Sequence, residues 1–322
     1  MACLGIDIGG SGARLQLVPG PRDGDRSPKG SGPVEERLVW SHGAGVEEDL
    51  AHLVTAVGRV TGGVPERVDA LGVARPTSVD AEGTVTAWPN RPAWVGCSFP
   101  VALTQLCPGV PATHEDDGNA AARAEAAAAG ASHLVYLGIG TGLAGGIVAD
   151  GQVVAGACGG AGEVGHLPVA GSASDPPCSC GQVGCLQATV SGKVIGERVA
   201  RRTWGRCTLA DLPGAVRADA PWALRERDTV AVALAAAVGV LVELVAPEQV
   251  RIGGGVLASL PGLCEQVASR LALRPGRTRP TVAPALHGKN SSLAGAVLLA
   301  RGLAARGATG SGESAPTPQE VV

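Results

Sequence analysis

The segment LGIDIGGSGARLQLV at residues 4–18 reads as an apolar strand, a glycine turn and a second strand. A second segment of the same design, LGIGTGLAGGIVADG, occupies residues 137–151. One hairpin used twice predicts a chain that is built from two related lobes. We therefore expect a duplicated α/β fold in which each lobe has its own sheet and its own glycine turn.

Glycine turns of this kind are typical of sites that bind phosphate groups. Glycine allows positive φ and lets backbone N–H groups approach phosphate oxygens without a Cβ in the way. A single glycine turn between strands is weak support, because many hairpins that bind nothing also have one. A third glycine run, VRIGGGVLAS at 250–259, makes phosphate binding by this chain a much stronger hypothesis.

The segments between these turns predict crossover helices and further strands. Apolar residues recur at helical spacing over residues 43–62, and DALGVARP at 69–76 reads as a buried strand. After residue 229 a long apolar helix is expected to end at Pro247 and to lie beneath the third glycine run rather than in a membrane. Residues 19–36 are rich in proline, glycine and charge, which predicts a mobile extension rather than a strand.

Composition sets further limits on the function. The chain has 322 residues, of which 45% are hydrophobic, and a net charge of −3. A chain of this size can bury two packed lobes, and its charge predicts no surface for a nucleic acid. The apolar start MACLGIDIGG lacks a basic leader and is too short to span a membrane. With nine irregularly spaced cysteines, an odd number, we expect a cytoplasmic protein with no nucleic-acid or membrane partner.

One histidine and three cysteines lie close together in the sequence. GEVGHLPV at 162–169 is followed by CSCGQVGCLQ at 178–187. The donor set of a closed structural Zn²⁺ site, one imidazole and three thiolates, is offered by His166, Cys178, Cys180 and Cys185. A disulfide or chance clustering are the alternatives, but cysteines as close as Cys178 and Cys180 rarely meet disulfide geometry. The spacing therefore favours zinc.

The run HEDDGNAAARAEAAAAG at 114–130 places carboxylates directly before an alanine-rich predicted helix. A carboxylate within hydrogen-bond reach can orient an alcohol and accept its proton while the alcohol attacks a phosphoryl group. Asp117 is the candidate for this role. Alternatively, Asp116 and Asp117 cap the helix and favour its positive end. The residues by themselves leave both roles open.

Two of these segments resemble signatures of the bacterial ROK family of sugar kinases and sugar-responsive repressors. That family carries G-E-x-G-H followed by C-x-C-G-x-x-G-C-x-E, and this chain has the same pattern except for Gln187 in place of the last Glu. The acidic residues at 115–121 resemble the family pattern E-N-D-A-N-A-A. The resemblance extends over almost the whole chain.

The resemblance implies an actin-like (ribonuclease H-like) duplicated two-lobe sugar kinase fold with a zinc-binding segment. The expected parts are a small N-terminal lobe at 1–117 plus about 291–305, a large lobe at 118–290 with the zinc site and nucleotide loops, and a disordered tail at 306–322. The lobes are expected to close around the sugar, and family resemblance suggests a homodimer.

The resemblance also implies transfer of the γ-phosphoryl group of ATP to the 6-hydroxyl of a hexose, with Asp117 as the catalytic base and Asp7 near Mg²⁺. The implied sugar contacts are Asn90, Asp116, Glu163, His166 and Gln187. The implied nucleotide contacts are Gly9, Gly10 and Ser11, then Gly140, Thr141 and Gly142, then Gly253, Gly254 and Gly255. A non-catalytic sugar sensor is the alternative of another class. The family's repressors, however, have a DNA-binding helix-turn-helix before the first hairpin, where this chain has three residues.

Several positions depart from the family pattern. Gly12 stands where a lysine is usual, and Thr77 and Ser78 stand where a glycine is common. Asp116 replaces an asparagine and Gln187 a glutamate, which changes the charge at two implied sugar contacts. A carboxylate at Asp116 would match an ammonium group better than a neutral hydroxyl. We therefore expect a slight preference for an aminohexose such as kanosamine (3-amino-3-deoxyglucose), with glucose or another neutral hexose as the alternative.

Overall fold

The structure is a computed structural model and describes residues 1–19, 33–41, 43–169, 176–272 and 279–309. Its strands are β1 (Cys3–Gly9), β2 (Gly12–Val18), β3 (Val34–Val39), β4 (Ala70–Arg75), β5 (Ser78–Val79), β6 (Val85–Ala87), β7 (Ala112–Asp116), β8 (Leu134–Ile139), β9 (Leu143–Ala149), β10 (Gln152–Val153), β11 (Gln249–Gly253) and β12 (Thr281–Pro284). Its α-helices are α1 (Val46–Val60), α2 (Phe99–Leu106), α3 (Asp117–Ala129), α4 (Gln187–Val190), α5 (Gly192–Arg202), α6 (Leu212–Arg217), α7 (Pro221–Val245), α8 (Leu263–Ala272) and α9 (Ser291–Thr309).

The described strands form two five-stranded sheets with the same topology. The first sheet has the order β3-β2-β1-β4-β7 and the second the order β10-β9-β8-β11-β12. In the first sheet β1, β2 and β3 pair antiparallel, and β4 and β7 run parallel to β1. In the second sheet β8, β9 and β10 pair antiparallel, and β11 and β12 run parallel to β8. This repetition confirms the duplicated α/β fold that the two glycine hairpins predicted.

The core of the first lobe forms where helices α1 and α2 pack against apolar side chains of the first sheet. Strand β4 is buried along its whole length, and α1 buries residues three or four apart, such as Leu53, Val57 and Val60. Trp88, Trp94 and Phe99 fill the space between α1, α2 and the sheet. Together with Trp40 they are the large aromatic side chains of this lobe's core, and they fix the packing there.

Helix α9 packs tightly between the first sheet and α3. A Cβ on Gly5 or Gly72 would overlap α9, and a Cβ on Gly295 would overlap the carbonyl group of Ala120 in α3. Glycine at these three places lets the backbones approach closely. The N-terminus of α3, which carries Asp117, is therefore held at a fixed distance from the first sheet.

Helix α7 is apolar on most of its faces. By length and composition it meets the requirements of a membrane span, but half of its most apolar 18-residue window is buried inside the protein. Its buried side chains join the second lobe's core together with Val256 and Leu260, which follow the third glycine run. The helix begins at Pro221, earlier than its apolar run suggested, and ends at Val245. It is followed by Ala246, which has left-handed φ and ψ, and then by Pro247.

Two predicted boundaries were wrong. Strand β3 begins at Val34, so residues 34–36 are not part of an extension, because they pair with the free edge of β2. Helix α9 continues to Thr309, so residues 306–309 are helical, because Ala304 near its end is buried against Cys3 and Ala70. The remainder of the predicted extension, residues 20–32, and of the predicted tail, residues 310–322, lie outside the described part of the chain.

Candidate active site

The carboxyl ends of three parallel strands bring charged side chains together at one edge of the first sheet. Asp7 lies near the end of β1 and pairs in register with Ala74 of β4. Arg75 ends β4 and pairs in register with Asp116, which ends β7. Asp117 follows as the first residue of α3. The sheet therefore gathers Asp7, Asp116 and Asp117 as the sequence predicted, and it adds Arg75.

The side chain of Asp117 is half-buried in this cluster. Burial raises its pKa well above the usual value, and the negative charges of Asp116, Asp7 and Glu163 raise it further. A carboxylate with a raised pKa accepts an alcohol proton more readily than an ordinary one.

Asp116 caps α3. Its Oδ1 accepts hydrogen bonds from the backbone N–H of Gly118 at 3.0 Å and of Asn119 at 3.3 Å. The capping alternative considered for this pair is therefore correct for Asp116. Burial and the charge of Glu163 raise the pKa of Asp116 to about 7, while these two hydrogen bonds and Arg75 act in the opposite direction.

Asp7 is paired with an arginine that the sequence analysis missed. The Arg14 Nη2 atom lies 2.5 Å from Asp7 Oδ2, and its Nη1 donates to Asn290 Oδ1 at 2.6 Å. Burial raises the pKa of Asp7, and Arg14 opposes that increase. A signal was present, because in a hairpin with a two-residue turn Arg14 must lie directly across from Asp7. A Cβ at Gly12 would overlap the carbonyl oxygen of Leu38, so the lysine usual there has no room.

Asn90 lies against the first glycine turn. Its side-chain amide occupies the place that a Cβ on Gly10 would take, and the Asn90 side chain is exposed. The turn itself is anchored by Trp40, whose Nε1–H donates to the carbonyl oxygen of Gly9 at 2.8 Å. Arg91 stacks on Trp40 with 4.9 Å between its guanidinium carbon and the ring centroid, and this contact holds the segment that presents Asn90.

Gln187 connects the second glycine turn to the cysteine segment. Its Oε1 accepts a hydrogen bond from the backbone N–H of Leu143 at 3.0 Å, and its Nε2 donates to Ser179 Oγ at 3.3 Å. A glutamate could make the first of these bonds but could not donate the second. The structure thus offers a local reason for glutamine where the family has glutamate.

The second and third glycine turns lie side by side at the carboxyl edge of the second sheet. Gly254 has a φ of +86°, and a Cβ there would overlap the Ile139 carbonyl group at the end of β8. The backbone N–H of Val256 donates to that same carbonyl oxygen at 3.1 Å. At the exposed tips lie Thr141 and Gly255. Strands β8 and β11 are neighbours, so one ligand can contact both turns.

The predicted metal ligands converge. Among the described residues, one group of His, Cys, Asp or Glu donors could hold a metal ion, namely His166, Cys178, Cys180 and Cys185, with donor atoms within 4.8 Å of one another. The distance from Cys178 Sγ to His166 Nδ1 is 3.6 Å, and that from Cys180 Sγ to Cys185 Sγ is 3.7 Å. Tetrahedral Zn²⁺ with ordinary bond lengths requires about 3.6 Å and about 3.8 Å for these pairs. The donor set therefore fits zinc through Nδ1.

Glu163 and His166 lie on the turn that leads into the cysteine segment. Glu163 is exposed, and its charge acts on both Asp116 and Asp117. His166 is half-buried in a 3₁₀ turn that begins one residue after Glu163. These residues connect the metal group of the second lobe to the carboxylate cluster of the first.

Two sheets of the same topology with glycine turns and a carboxylate cluster at their edges are the architecture of an actin-like sugar kinase. The chain belongs to the ROK family. The model of that family matches residues 3–302.

Two similar relatives are named as sugar kinases. The chain is 39% identical to a kanosamine kinase of Amycolatopsis mediterranei over 94% of this chain and 97% of the relative. It is 31% identical to a glucokinase of Thermotoga maritima over 79% of this chain and 81% of the relative. A crystal structure of a ROK family glucokinase from Streptomyces griseus in complex with glucose and AMPPNP superimposes with a TM-score of 0.76 at 25% identity, covering 94% of this chain and 100% of that one. The protein is a phosphotransferase that acts on a sugar.

Proposed function

We propose that this kinase transfers the γ-phosphoryl group of ATP to the 6-hydroxyl of a hexose, with Asp117 as the base, and that its preferred substrate is an aminohexose such as kanosamine. The observation that carries the proposal is the half-buried carboxyl group of Asp117 beside the buried Asp7, at the edge where the first glycine turn lies. In a loose phosphoryl-transfer transition state the alcohol loses its proton late, so orientation by Asp117 contributes more than base strength.

The preference for an amine rests on charge. Asp116 and Glu163 repel each other, and burial works against the ionised form of Asp116. An ammonium group on the sugar would relieve that repulsion and form charge-assisted hydrogen bonds. The similarity to a protein named kanosamine kinase supports the same choice.

A neutral hexose is the second candidate. Asp116 Oδ1 already accepts two backbone hydrogen bonds as a helix cap, which accounts for an aspartate at this position without any ligand. The glucokinase relatives point to the same alternative. Under this hypothesis the change from asparagine to aspartate is family drift.

The remaining assignments complete the proposed site. The proposed sugar contacts are Asn90, Asp116, Glu163, His166 and Gln187. The proposed ATP contacts are the three glycine turns, with Asp7 near Mg²⁺. We propose that Zn²⁺ at the cysteine segment orients His166 while its other ring nitrogen faces the sugar. We also propose lobes at 1–117 plus about 291–305 and at 118–290, a homodimer, and a cytoplasmic location.

The test is a coupled ADP-release assay across glucose, mannose, N-acetylated hexosamines, glucosamine and kanosamine with the parent enzyme. The proposal predicts the highest kcat/KM for kanosamine. Phosphorylation of neutral hexoses with no amino-sugar turnover would reject the substrate assignment and leave the kinase assignment standing.

Asp116→Asn sharpens this assay because asparagine also caps helices well. Loss of one charge-assisted hydrogen bond of roughly 1.5 kcal/mol or more predicts at least about a ten-fold lower kcat/KM for kanosamine. The glucose value should be unchanged or higher. Equal losses on both sugars would favour family drift.

A further inference from the structure

A buried arginine lies at the catalytic edge, and the proposed reaction gives it no role. Arg75 ends β4, directly across from Asp116 in the register of the sheet, and is only 4% exposed. A buried guanidinium group is costly unless charged or polar partners surround it. The partners of Arg75 therefore indicate what it does.

Two neutral hydrogen-bond acceptors fix the orientation of the Arg75 guanidinium group. Its Nε donates to His114 Nδ1 at 3.0 Å, and its Nη1 donates to the backbone carbonyl oxygen of Thr77. His114 packs edge-on against Phe99 with ring centroids 5.1 Å apart. Burial and the charge of Arg75 lower the pKa of His114 to about 4, so the imidazole stays neutral and keeps Nδ1 free to accept.

The positive charge of Arg75 acts on the acidic residues at the end of β7. These are Asp116, Asp117 and Glu115. Glu115 has an arginine of its own, because Arg123 donates to its two carboxylate oxygens at 3.1 and 2.7 Å. Arg75 is thus left as the cation for Asp116 and Asp117. No carboxylate oxygen lies within hydrogen-bond distance of it in the described contacts, so it acts through space.

We propose that Arg75 is a positioning residue whose positive charge favours the ionised forms of Asp116 and Asp117, and that His114 is the fixed acceptor that holds the Arg75 guanidinium in place. This inference rests on the proposed function for the role of Asp117. It does not depend on which sugar is the substrate. In this proposal Asp117 contacts the reacting hydroxyl of the sugar. Arg75 does not contact it and acts only through Asp116 and Asp117.

Other charged groups also act on the pair and stay constant in the test. They are Glu163, from the turn before His166, and Asp7 of β1, which is paired with Arg14 of β2. Next to the pair, Glu115 of β7 is neutralised by Arg123 of α3, and this ion pair is unchanged in the Arg75 variants. Arg123→Met is the matched control, since it removes an arginine near the end of β7 without removing the cation that acts on Asp116 and Asp117.

The experiment measures kcat/KM against pH for the parent, Arg75→Met, Arg75→Lys and Arg123→Met, with whichever sugar the parent phosphorylates. Loss of a neighbouring cation raises carboxyl pKa values, so Arg75→Met should move the acidic limb of the profile to higher pH by about one unit. Activity should be about ten-fold lower on that limb and closer to the parent on the plateau. Arg75→Lys should shift the limb less than Arg75→Met. A limb that does not move, or moves equally in Arg123→Met, would overturn the proposal.

His114→Phe tests the second half of the proposal and is used if Arg75→Met does not fold. Phenylalanine fits beside Phe99 but cannot accept from Arg75, so the limb should shift in the same direction by a smaller amount. An unshifted limb would contradict the role of His114.

A thermal readout separates this proposal from the proposed function. A carboxyl group whose folded pKa is raised loses its stabilising contribution as pH rises. Removing Arg75 raises these pKa values further, so the Tm deficit of Arg75→Met, or of Arg75→Lys to a lesser degree, should widen from pH 5 to pH 8. A constant deficit would reject the electrostatic role, and this result requires no sugar turnover.

Discussion

The two sheets share one topology but differ at their carboxyl edges. The first edge carries Asp7 and Arg75, which are buried, and Asp116 and Asp117, which are half-buried. At the matching edge of the second sheet the chain has glycine turns and the neutral amide of Gln187. The two hairpins therefore share their geometry while the charges beside them differ.

This difference indicates a division of labour between the lobes. A glycine turn offers backbone N–H groups, which bind phosphate without titrating. A buried carboxylate can orient an alcohol and accept its proton, but only at a cost in stability. Chemistry is expected at the first edge and nucleotide binding mainly at the second.

The largest difference between the two edges is expected from Asp117→Asn at the first edge. The substitution keeps the shape of the side chain and removes the proton acceptor, so kcat should fall by about two to four orders of magnitude while the KM values change little. Steady-state kinetics with the coupled ADP assay measure the loss. Turnover within a few-fold of the parent would exclude Asp117 as the base.

The second prediction concerns the metal group that supports the second lobe. Cys180→Ser should lose the metal, because one thiolate of four is removed. Metal analysis should find one zinc per parent chain and much less in the variant, together with a lower Tm and weaker sugar binding. Cys97→Ser, which changes a cysteine outside the metal group, is the control. Metal-free parent protein with full activity would contradict the zinc assignment.

The third prediction tests the second edge with Gly254→Ala. The new Cβ meets the Ile139 carbonyl group at a positive φ, which should cost about 1–3 kcal/mol and displace the third turn. We expect the KM for ATP to rise by about ten-fold or more. Gly196→Ala in α5 is the control, because a Cβ there meets nothing within 4 Å. An unchanged KM for ATP would separate this turn from nucleotide binding.

The smallest expected effect is on stability at the first edge. The folded pKa of Asp116, about 7, lies above its usual value of 3.8, so its stabilising contribution is present at low pH and is lost as pH rises through 7. Asp116→Asn keeps the helix cap and removes the charge. Without substrate it should be more stable than the parent at pH 8 by about 1 kcal/mol or more, with the difference vanishing toward pH 4. Thermal melts across this range measure it, and a gain that is the same at pH 4 and pH 8 would contradict the assigned cause.

Much of this organisation could be predicted from local sequence. Duplicate hairpins predicted duplicate sheets, and the spacing of His166 and the three cysteines predicted their convergence, because both depend on residues near one another in the chain. The Asp7–Arg14 pair was also within reach, since a two-residue turn fixes the register of its strands.

The role of Arg75 was not predictable from local sequence. Its neighbours Asp116 and His114 lie about forty residues away and meet it only through the pairing of β4 with β7. DALGVARP reads as a buried strand, and the arginine at its end has no local signal of function. The sequence also could not tell which of Asp116 and Asp117 caps α3. The structure shows that the Asp116 carboxylate accepts hydrogen bonds from the N–H groups at the start of the helix.

The most direct test of the division of labour is calorimetric titration of Asp117→Asn and Gly254→Ala with the sugar and with a non-hydrolysable ATP analogue. The account predicts that Asp117→Asn binds both ligands within a few-fold of the parent although it does not turn over. Gly254→Ala should bind the sugar normally and the nucleotide analogue about ten-fold or more weakly. Loss of nucleotide binding in Asp117→Asn, or normal nucleotide binding in Gly254→Ala, would contradict the account.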